Sequence, residues 1–125
     1  MSVTAITFAV NPTSAIVNIV NYENPNHSGN NVSLTPNTSM GTPQCNMWLP
    51  YCDTAEQFSK GKYIHVKIKS GNTDYYLWQQ GDYVRFNNKK EWIKDGPKVP
   101  GTSEIIGNRT VTFSENGGLT FSKNS

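Results

Sequence analysis

The chain has 125 residues and a mass of 13.9 kDa, so we expect one β domain over residues 1–125. Its net charge of +2 and its 11% aromatic content exclude a disordered chain, because such chains combine high net charge with few aromatic residues. The sequence has no basic stripe, so we expect no nucleic-acid partner.

The beginning of the chain lacks the basic and apolar regions of a secretory signal, and no apolar run approaches about 20 residues. We therefore expect a soluble protein that is cytoplasmic or released without a standard signal peptide.

Two alternating segments come first, at residues 3–10 and 15–22. In the first, Ile6 and Phe8 share one face, while Ala5 and Ala9 share the other. Asn11-Pro12 separates the two segments. This pattern predicts an N-terminal hairpin of two half-buried strands.

Residues 23–50 contain four of the seven prolines and show no sustained period. We predict one short strand at residues 31–35 and otherwise an ordered loop, because a long loop without structure is rare in a compact domain. The expected anchors of this loop are Met47, Trp48, Leu49 and Tyr51. Trp48 and Tyr51, if exposed, would be a second ligand platform or a membrane-interface wedge. We favour a plug that holds the loop on the sheet.

One helical turn is predicted at residues 53–58. Asp53 is the expected N-cap and Glu56 lies three residues on, which is the capping-box spacing, and Gly61 would end the turn. Cys45 and Cys52 precede it. Their spacing allows either a disulfide across the proline-rich loop or two reduced, packed thiols, and both alternatives remain open.

Residues 62–69 form the clearest strand in the sequence. Ile64, Val66 and Ile68 are expected to point inward. The outward set is Tyr63, His65, Lys67 and Lys69, which is typical of a solvated sheet face.

The next segment, residues 74–86, predicts an aromatic hairpin. An even-length turn at Gln80-Gly81 or at residues 79–82 would place Trp78 opposite Tyr83. The face of Tyr75, Leu77, Val84 and Phe86 would then be core. The other face would carry Tyr76, Trp78, Tyr83 and Arg85.

Aromatic rings with polar handles beside a planar cation suit a sugar, which packs its C–H face on a ring and offers hydroxyl groups to polar side chains. We therefore predict a ligand site on this hairpin. Its residues are Tyr76, Trp78, Asp82, Tyr83, Arg85, Asn87, Asn88 and Trp92. The same face could instead pack under another strand or loop, and Trp92 could be an edge-strand core residue.

A final hairpin is predicted at residues 109–114 and 119–122, around Asn116-Gly117. Val111 and Phe113 share a face in its first strand, and Leu119 and Phe121 share a face in its second. Eight to ten short strands with frequent turns indicate an all-β fold: a compact antiparallel β-sandwich or small barrel, with a long ordered loop and at most one short helical turn.

Catalytic and metal-binding signatures are absent from the sequence. His27 and His65 are expected at the surface, without metal-ligand spacing and without an obvious nucleophile beside them. We therefore predict a protein that is not an enzyme and that needs no cofactor and no metal.

In size, Asn, Gly and Thr content and low charge, the chain resembles small lectins of fungi and bacteria, and in equally general terms the β-sandwich toxins that bind membranes. The leading hypothesis is a non-enzymatic, lectin-like protein whose partner is a glycan or glycoconjugate. We expect a homo-oligomer, because one shallow site binds weakly. The alternative is a membrane-active defence or insecticidal toxin, in which Trp48 and Tyr51 enter the lipid interface.

Overall fold

The computed structural model describes residues 4–124, and two β-sheets pack face to face in it, which confirms the β-sandwich. Its strands are β1 (Thr4–Asn11), β2 (Val17–Asn21), β3 (Asn31–Leu34), β4 (Thr38–Gly41), β5 (Met47–Trp48), β6 (Ile64–Ile68), β7 (Thr73–Gln80), β8 (Tyr83–Asn87), β9 (Gly107–Phe113) and β10 (Leu119–Lys123). One sheet has the order β10-β9-β1-β4, with β5 also paired to β1. The other has the order β3-β2-β6-β7-β8. The pairs are antiparallel apart from β1–β9, which is parallel.

The predicted N-terminal hairpin is wrong, because β1 lies in the first sheet and β2 in the second. Asn11 fixes the corner between them. Its buried Nδ2 donates to the Ala15 carbonyl at 2.8 Å, and its Oδ1 accepts from the Thr13 hydroxyl at 2.6 Å. A side chain thus turns the chain from one sheet to the other, and alternation alone cannot reveal such a corner.

The alternation of β1 is also interrupted. A β-bulge between Ile6 and Phe8 shifts its register against β9, so that Ile6 and Ala9 both enter the core. Phe8, which shared a face with Ile6 in the sequence pattern, is 38% exposed. The predicted start of this strand at residue 3 lies outside the described residues.

The core between the sheets is apolar and comes from both inner faces. Ile64, Val66 and Ile68 are fully buried, as predicted. The C-terminal hairpin is confirmed as well: β9 and β10 pair with Leu119 opposite Phe113. Its four apolar side chains are all buried: Val111, Phe113, Leu119 and Phe121.

The long loop predicted at residues 23–50 contains three short strands. β3 is confirmed, whereas β4 and β5 were not predicted, because each is too short to show alternation. Both pair with β1 along one edge, β4 from Phe8 to Asn11 and β5 at Ala5 and Ile6. Their position is therefore set by β1 rather than by local pattern.

One short helix, α1 (Ala55–Ser59), follows β5. Its N-cap is Thr54 and not the predicted Asp53: the Thr54 hydroxyl accepts from the Gln57 backbone N–H at 3.1 Å. Gln57 returns a bond, since its Oε1 accepts from the Asp53 N–H at 2.8 Å. Gly61 has φ +94° just after the helix, consistent with the predicted stop. Within residues 4–124, neither this helix nor a 3-10 turn at Ser70–Asn72 has the length and apolarity to cross a membrane.

Candidate functional site

The aromatic hairpin has a two-residue turn at Gly81 and Asp82. Gln80 pairs with Tyr83, and Trp78 pairs with Arg85. The predicted pairing of Trp78 with Tyr83 is therefore wrong, and the true partner lies two residues further along β8. The loop length is nevertheless even, and the division into two faces is therefore the predicted one. Leu77 and Val84, on the inner face, are fully buried in the core.

The centre of the outer face is covered. Trp78 has no exposed surface and belongs to a group that we call the Trp78 cluster: Cys52, Phe58, Tyr63 and Trp78, with Tyr76 and Trp92 packed against it. The Phe58 ring from α1 meets Trp78 edge-on at 5.8 Å between centroids, at 85°. The same ring stacks on Tyr63 at 4.5 Å, which buries a side chain predicted to face outward. Trp78 therefore offers no ring face to a ligand.

Most of the polar side chains proposed as hydroxyl partners are bonded to the chain itself. Arg85 Nη1 donates to the Gly96 carbonyl at 2.7 Å. Asn87 Nδ2 donates to the Glu91 carbonyl at 2.8 Å, and Asn88 Nδ2 donates to that of Asp74 at 2.8 Å. These bonds hold the segment after β8 against the hairpin.

The remaining predicted site residues lie at the border of this covered face. The Lys98 ammonium sits 3.6 Å from the centroid of the Tyr83 ring, which favours a cation–π contact. Trp92 is half-buried, and its indole N–H donates to the Cys52 carbonyl at 3.4 Å. Asp82 is exposed at the tip of the turn. The structure thus brings the predicted residues together on one face, but the tryptophan at the centre of that face, Trp78, is buried.

An open cleft of about 420 Å³ lies elsewhere, and we call it the Trp48 cleft. It is lined by one aromatic ring and six polar side chains: Asn21, Glu23, Asn24, His27, Asn30, Asn46 and Trp48. Trp48 is 63% exposed, and Tyr51 nearby in sequence is 54% exposed, so the predicted plug is wrong. Met47 and Leu49 do anchor the loop, at 0% and 6% exposure.

Strand alternation explains how Trp48 is presented. β5 lies beside β1 with Trp48 opposite Ala5, and the buried side chains on either side of Trp48 point the other way. The Leu49 N–H donates to the Thr4 carbonyl at 2.8 Å. The Trp48 carbonyl accepts from Asn21 Nδ2 at 2.9 Å. The backbone under the exposed ring is therefore fixed from both sheets.

Two buried asparagines build the cleft wall. Asn21 Oδ1 accepts from the Glu23 N–H at 3.0 Å, and Asn30 Nδ2 donates to the Asn24 carbonyl at 3.0 Å. These bonds shape residues 21–30 into a turn-rich rim that faces Trp48, since Asx side chains favour such turns.

Other polar groups of the cleft are available to a ligand. The side-chain amides of Asn24 and Asn46 make no hydrogen bond to any residue between 4 and 124. His27 Nδ1 lies 2.9 Å from the Ser28 carbonyl, so in the neutral ring it carries the proton and leaves Nε2 as an acceptor. Glu23 Oε2 is paired with Lys62 Nζ at 2.5 Å.

Sequence reasoning missed this cleft because its residues come from two distant segments that show no period. The available signal was the asparagine-rich stretch 21–31, together with a tryptophan, Trp48, flanked by the apolar residues Met47 and Leu49. The two segments come together only because the corner at Asn11 places β1, which pairs with β5, and β2 in opposite sheets.

A charged network lies on the outer face of β6 and β7. Asp74 accepts from His65 Nε2 at 2.9 Å and from Lys67 Nζ at 3.3 Å. Partial burial raises the pKa of Asp74, but these hydrogen bonds and charges outweigh it and hold the pKa below its usual value. His65 also stacks on Tyr76 at 4.6 Å. The Asp74 carboxylate is thus paired with the Lys67 ammonium on this face.

Cys45 and Cys52 are both free and buried. They belong to different groups, Cys45 to the main core and Cys52 to the Trp78 cluster. The structure thus settles the open alternative in favour of thiols. Burial raises the pKa of each to about 11, so neither is a reactive thiolate near neutral pH.

Over the part of the chain that the structure describes, no three His, Cys, Asp or Glu side chains converge as metal ligands. The sequence matches no protein-family model, and comparison with curated proteins and with solved structures finds no match.

Proposed function

We propose that this protein is a non-enzymatic carbohydrate-binding protein and that the Trp48 cleft is its sugar site. The observation that carries the proposal is a tryptophan ring, 63% exposed, on the wall of a cleft of about 420 Å³ whose other lining residues are polar. A sugar needs an apolar ring face and several hydrogen-bonding groups together. Exposed tryptophan in a concave, polar site meets both needs.

The chemistry of the lining fits hydroxyl groups. Each side-chain amide offers both donors and an acceptor, and His27 Nε2 adds an acceptor. Asn24 and Asn46 thus serve hydroxyls in either role. The hairpin site proposed from sequence lacks this combination, because Trp78 is buried and Arg85 is bonded to the chain.

A glycan array followed by calorimetric titration of the best glycan tests the proposal. Trp48→Ala should lower affinity at least about tenfold, because the stacking surface is lost, whereas Trp48→Phe should retain part of it. Tyr51→Ala is the matched control, since Tyr51 is 54% exposed but does not line the cleft. Glycan binding that Trp48→Ala leaves unchanged would remove the site.

A second candidate is membrane activity, because Trp48, Tyr51 and Ile106 are exposed at 63%, 54% and 60%. The Thr4 carbonyl and hydroxyl accept from the Leu49 and Ile106 backbone N–H groups, so these segments are neighbours. Tryptophan and tyrosine favour the lipid interface. Dye release from phosphatidylcholine vesicles that falls in the Trp48→Ala/Tyr51→Ala double variant would favour this candidate, whereas a plain lectin leaves vesicles intact.

We also propose that the protein forms a homo-oligomer, since several shallow sites together raise avidity. Light scattering after size-exclusion chromatography measures this. A 13.9 kDa species at working concentration would contradict it.

A further inference from the structure

Tyr22 is a further exposed aromatic residue, directly after the end of β2. Its backbone N–H donates to the Tyr63 carbonyl at 3.0 Å, and its ring lies 5.3 Å from the Tyr63 ring and 6.3 Å from that of His65. The ring is 43% exposed. Buried Tyr63 and half-buried His65 thus support one side of Tyr22 while part of its surface faces solvent.

The Tyr22 ring does not line the Trp48 cleft, but its neighbours in the chain do. Tyr22 stands between Asn21 and Glu23, which both line the cleft. Its partner Tyr63 is preceded by Lys62, and Lys62 Nζ pairs with Glu23 Oε2 at 2.5 Å. The ion pair therefore links Glu23 of the cleft lining to the residue just before Tyr63, whose ring lies 5.3 Å from that of Tyr22.

We propose that Tyr22 forms a second sugar subsite, so that the protein binds a linear oligosaccharide that runs from the Trp48 cleft over the Glu23–Lys62 pair to Tyr22. This inference rests on the carbohydrate-binding function proposed above. Two ring platforms at the ends of a polar rim suit successive sugar units. A monosaccharide reaches one platform only.

The charges of the rim select uncharged glycans. Glu23 is the acidic residue of the lining, and the described lining contains no Lys or Arg. Lys62 is matched by Glu23. Lys90 Nζ lies 6.0 Å from the centroid of the Tyr63 ring, at the Tyr22 end and outside the cleft lining. A carboxylated or sulfated sugar unit in the cleft would thus face a carboxylate without a free cation, so we assign neutral oligosaccharides as the ligand class.

Titration calorimetry with chito- and manno-oligosaccharides of one to four units tests the inference. Longer members should bind the wild type about two- to tenfold more tightly than the monosaccharide, the gain expected from one further ring contact. Tyr22→Ala should abolish this gain and leave monosaccharide affinity unchanged. Tyr22→Phe should retain it, and because Phe preserves the packing on Tyr63, it keeps the test valid even if the alanine variant is less stable.

The outcomes separate the two proposals. If Trp48→Ala weakens all sugars while Tyr22→Ala changes none, the Tyr22 subsite is overturned and the cleft stands. If neither variant changes the binding of any neutral sugar, the cleft and the subsite both fall. Equal affinity for a neutral oligosaccharide and its sulfated form would overturn the ligand class.

Discussion

Trp78 and Trp48 lie in the same β-sandwich but differ completely in their exposure to solvent. Trp78 lies in the densest aromatic stretch of the sequence and is fully buried, whereas Trp48 lies in a proline-rich stretch and is 63% exposed. Each has an apolar residue directly before it in the sequence, Leu77 before Trp78 and Met47 before Trp48. The difference is in what surrounds them in space: α1 and its Phe58 cover Trp78, while residues 21–30 leave Trp48 open.

The comparison shows that aromatic density favours mutual packing. Four aromatic rings bury one another's apolar surface, with distances between ring centroids from 4.5 to 6.4 Å: those of Phe58, Tyr63, Tyr76 and Trp78. The apolar residues on either side of Trp48, Met47 and Leu49, are buried and point away from its ring, and the residues that line the cleft with it are polar. An isolated ring above a polar cleft is therefore the better binding candidate.

The largest expected difference between the two tryptophans is in their contribution to the free energy of unfolding. Trp78→Ala should lower the free energy of unfolding by about 3–5 kcal/mol, because it leaves a cavity under α1. Trp48→Ala should change it by at most about 0.5 kcal/mol, since the ring is mostly in solvent. Urea denaturation of both variants measures this, and similar losses would contradict the distinction.

The second effect concerns the scaffold below Trp48. Asn21→Ala removes the bond to the Trp48 carbonyl and the bond from the Glu23 N–H, so we expect a loss of about 1–2 kcal/mol in unfolding free energy and weaker glycan binding. Asn31→Ala, in the neighbouring strand β3 and exposed, is the control and should be near neutral. If the two variants bind glycan equally well, Asn21 does not position the cleft.

The third effect is a pH dependence that comes from the main core, through Cys45, and from the Trp78 cluster, through Cys52. Cys45 and Cys52 keep their protons in the folded state until pH approaches about 11, whereas unfolded thiols lose them from about 9. The unfolded state therefore binds fewer protons in this window, and the free energy of unfolding falls as pH rises through it. The Cys45→Ala/Cys52→Ala double variant should show a shallower fall; an equal slope would show that the thiols are not buried as described.

Much of the architecture follows from the sequence, and the failures have physical causes. The strand β6 and the C-terminal hairpin are clear because side-chain alternation and an Asn-Gly turn are local signals. The strands β4 and β5 depend on pairing with β1, which is remote in sequence. The even loop at Gly81 and Asp82 preserved the predicted faces although the register differed.

The candidate site was less predictable than the fold. The face of Tyr76, Trp78, Tyr83 and Arg85 exists as expected, but sequence periodicity cannot show that α1 folds over it. The Trp48 cleft needs the Asn11 corner, the pairing of β5 with β1 and the turn at residues 21–30 together. Each of these is set by side-chain hydrogen bonds or long-range pairing rather than by period.

Tryptophan indole resonances test the central claim most directly. In a ¹⁵N-labelled protein the three indole N–H signals, assigned through single Trp→Phe variants, are followed while the best array glycan is added. We expect the Trp48 signal to shift until the glycan saturates the site and the Trp78 signal to stay in place. A shift of Trp78 with Trp48 unmoved would contradict this expectation and return the site to the hairpin.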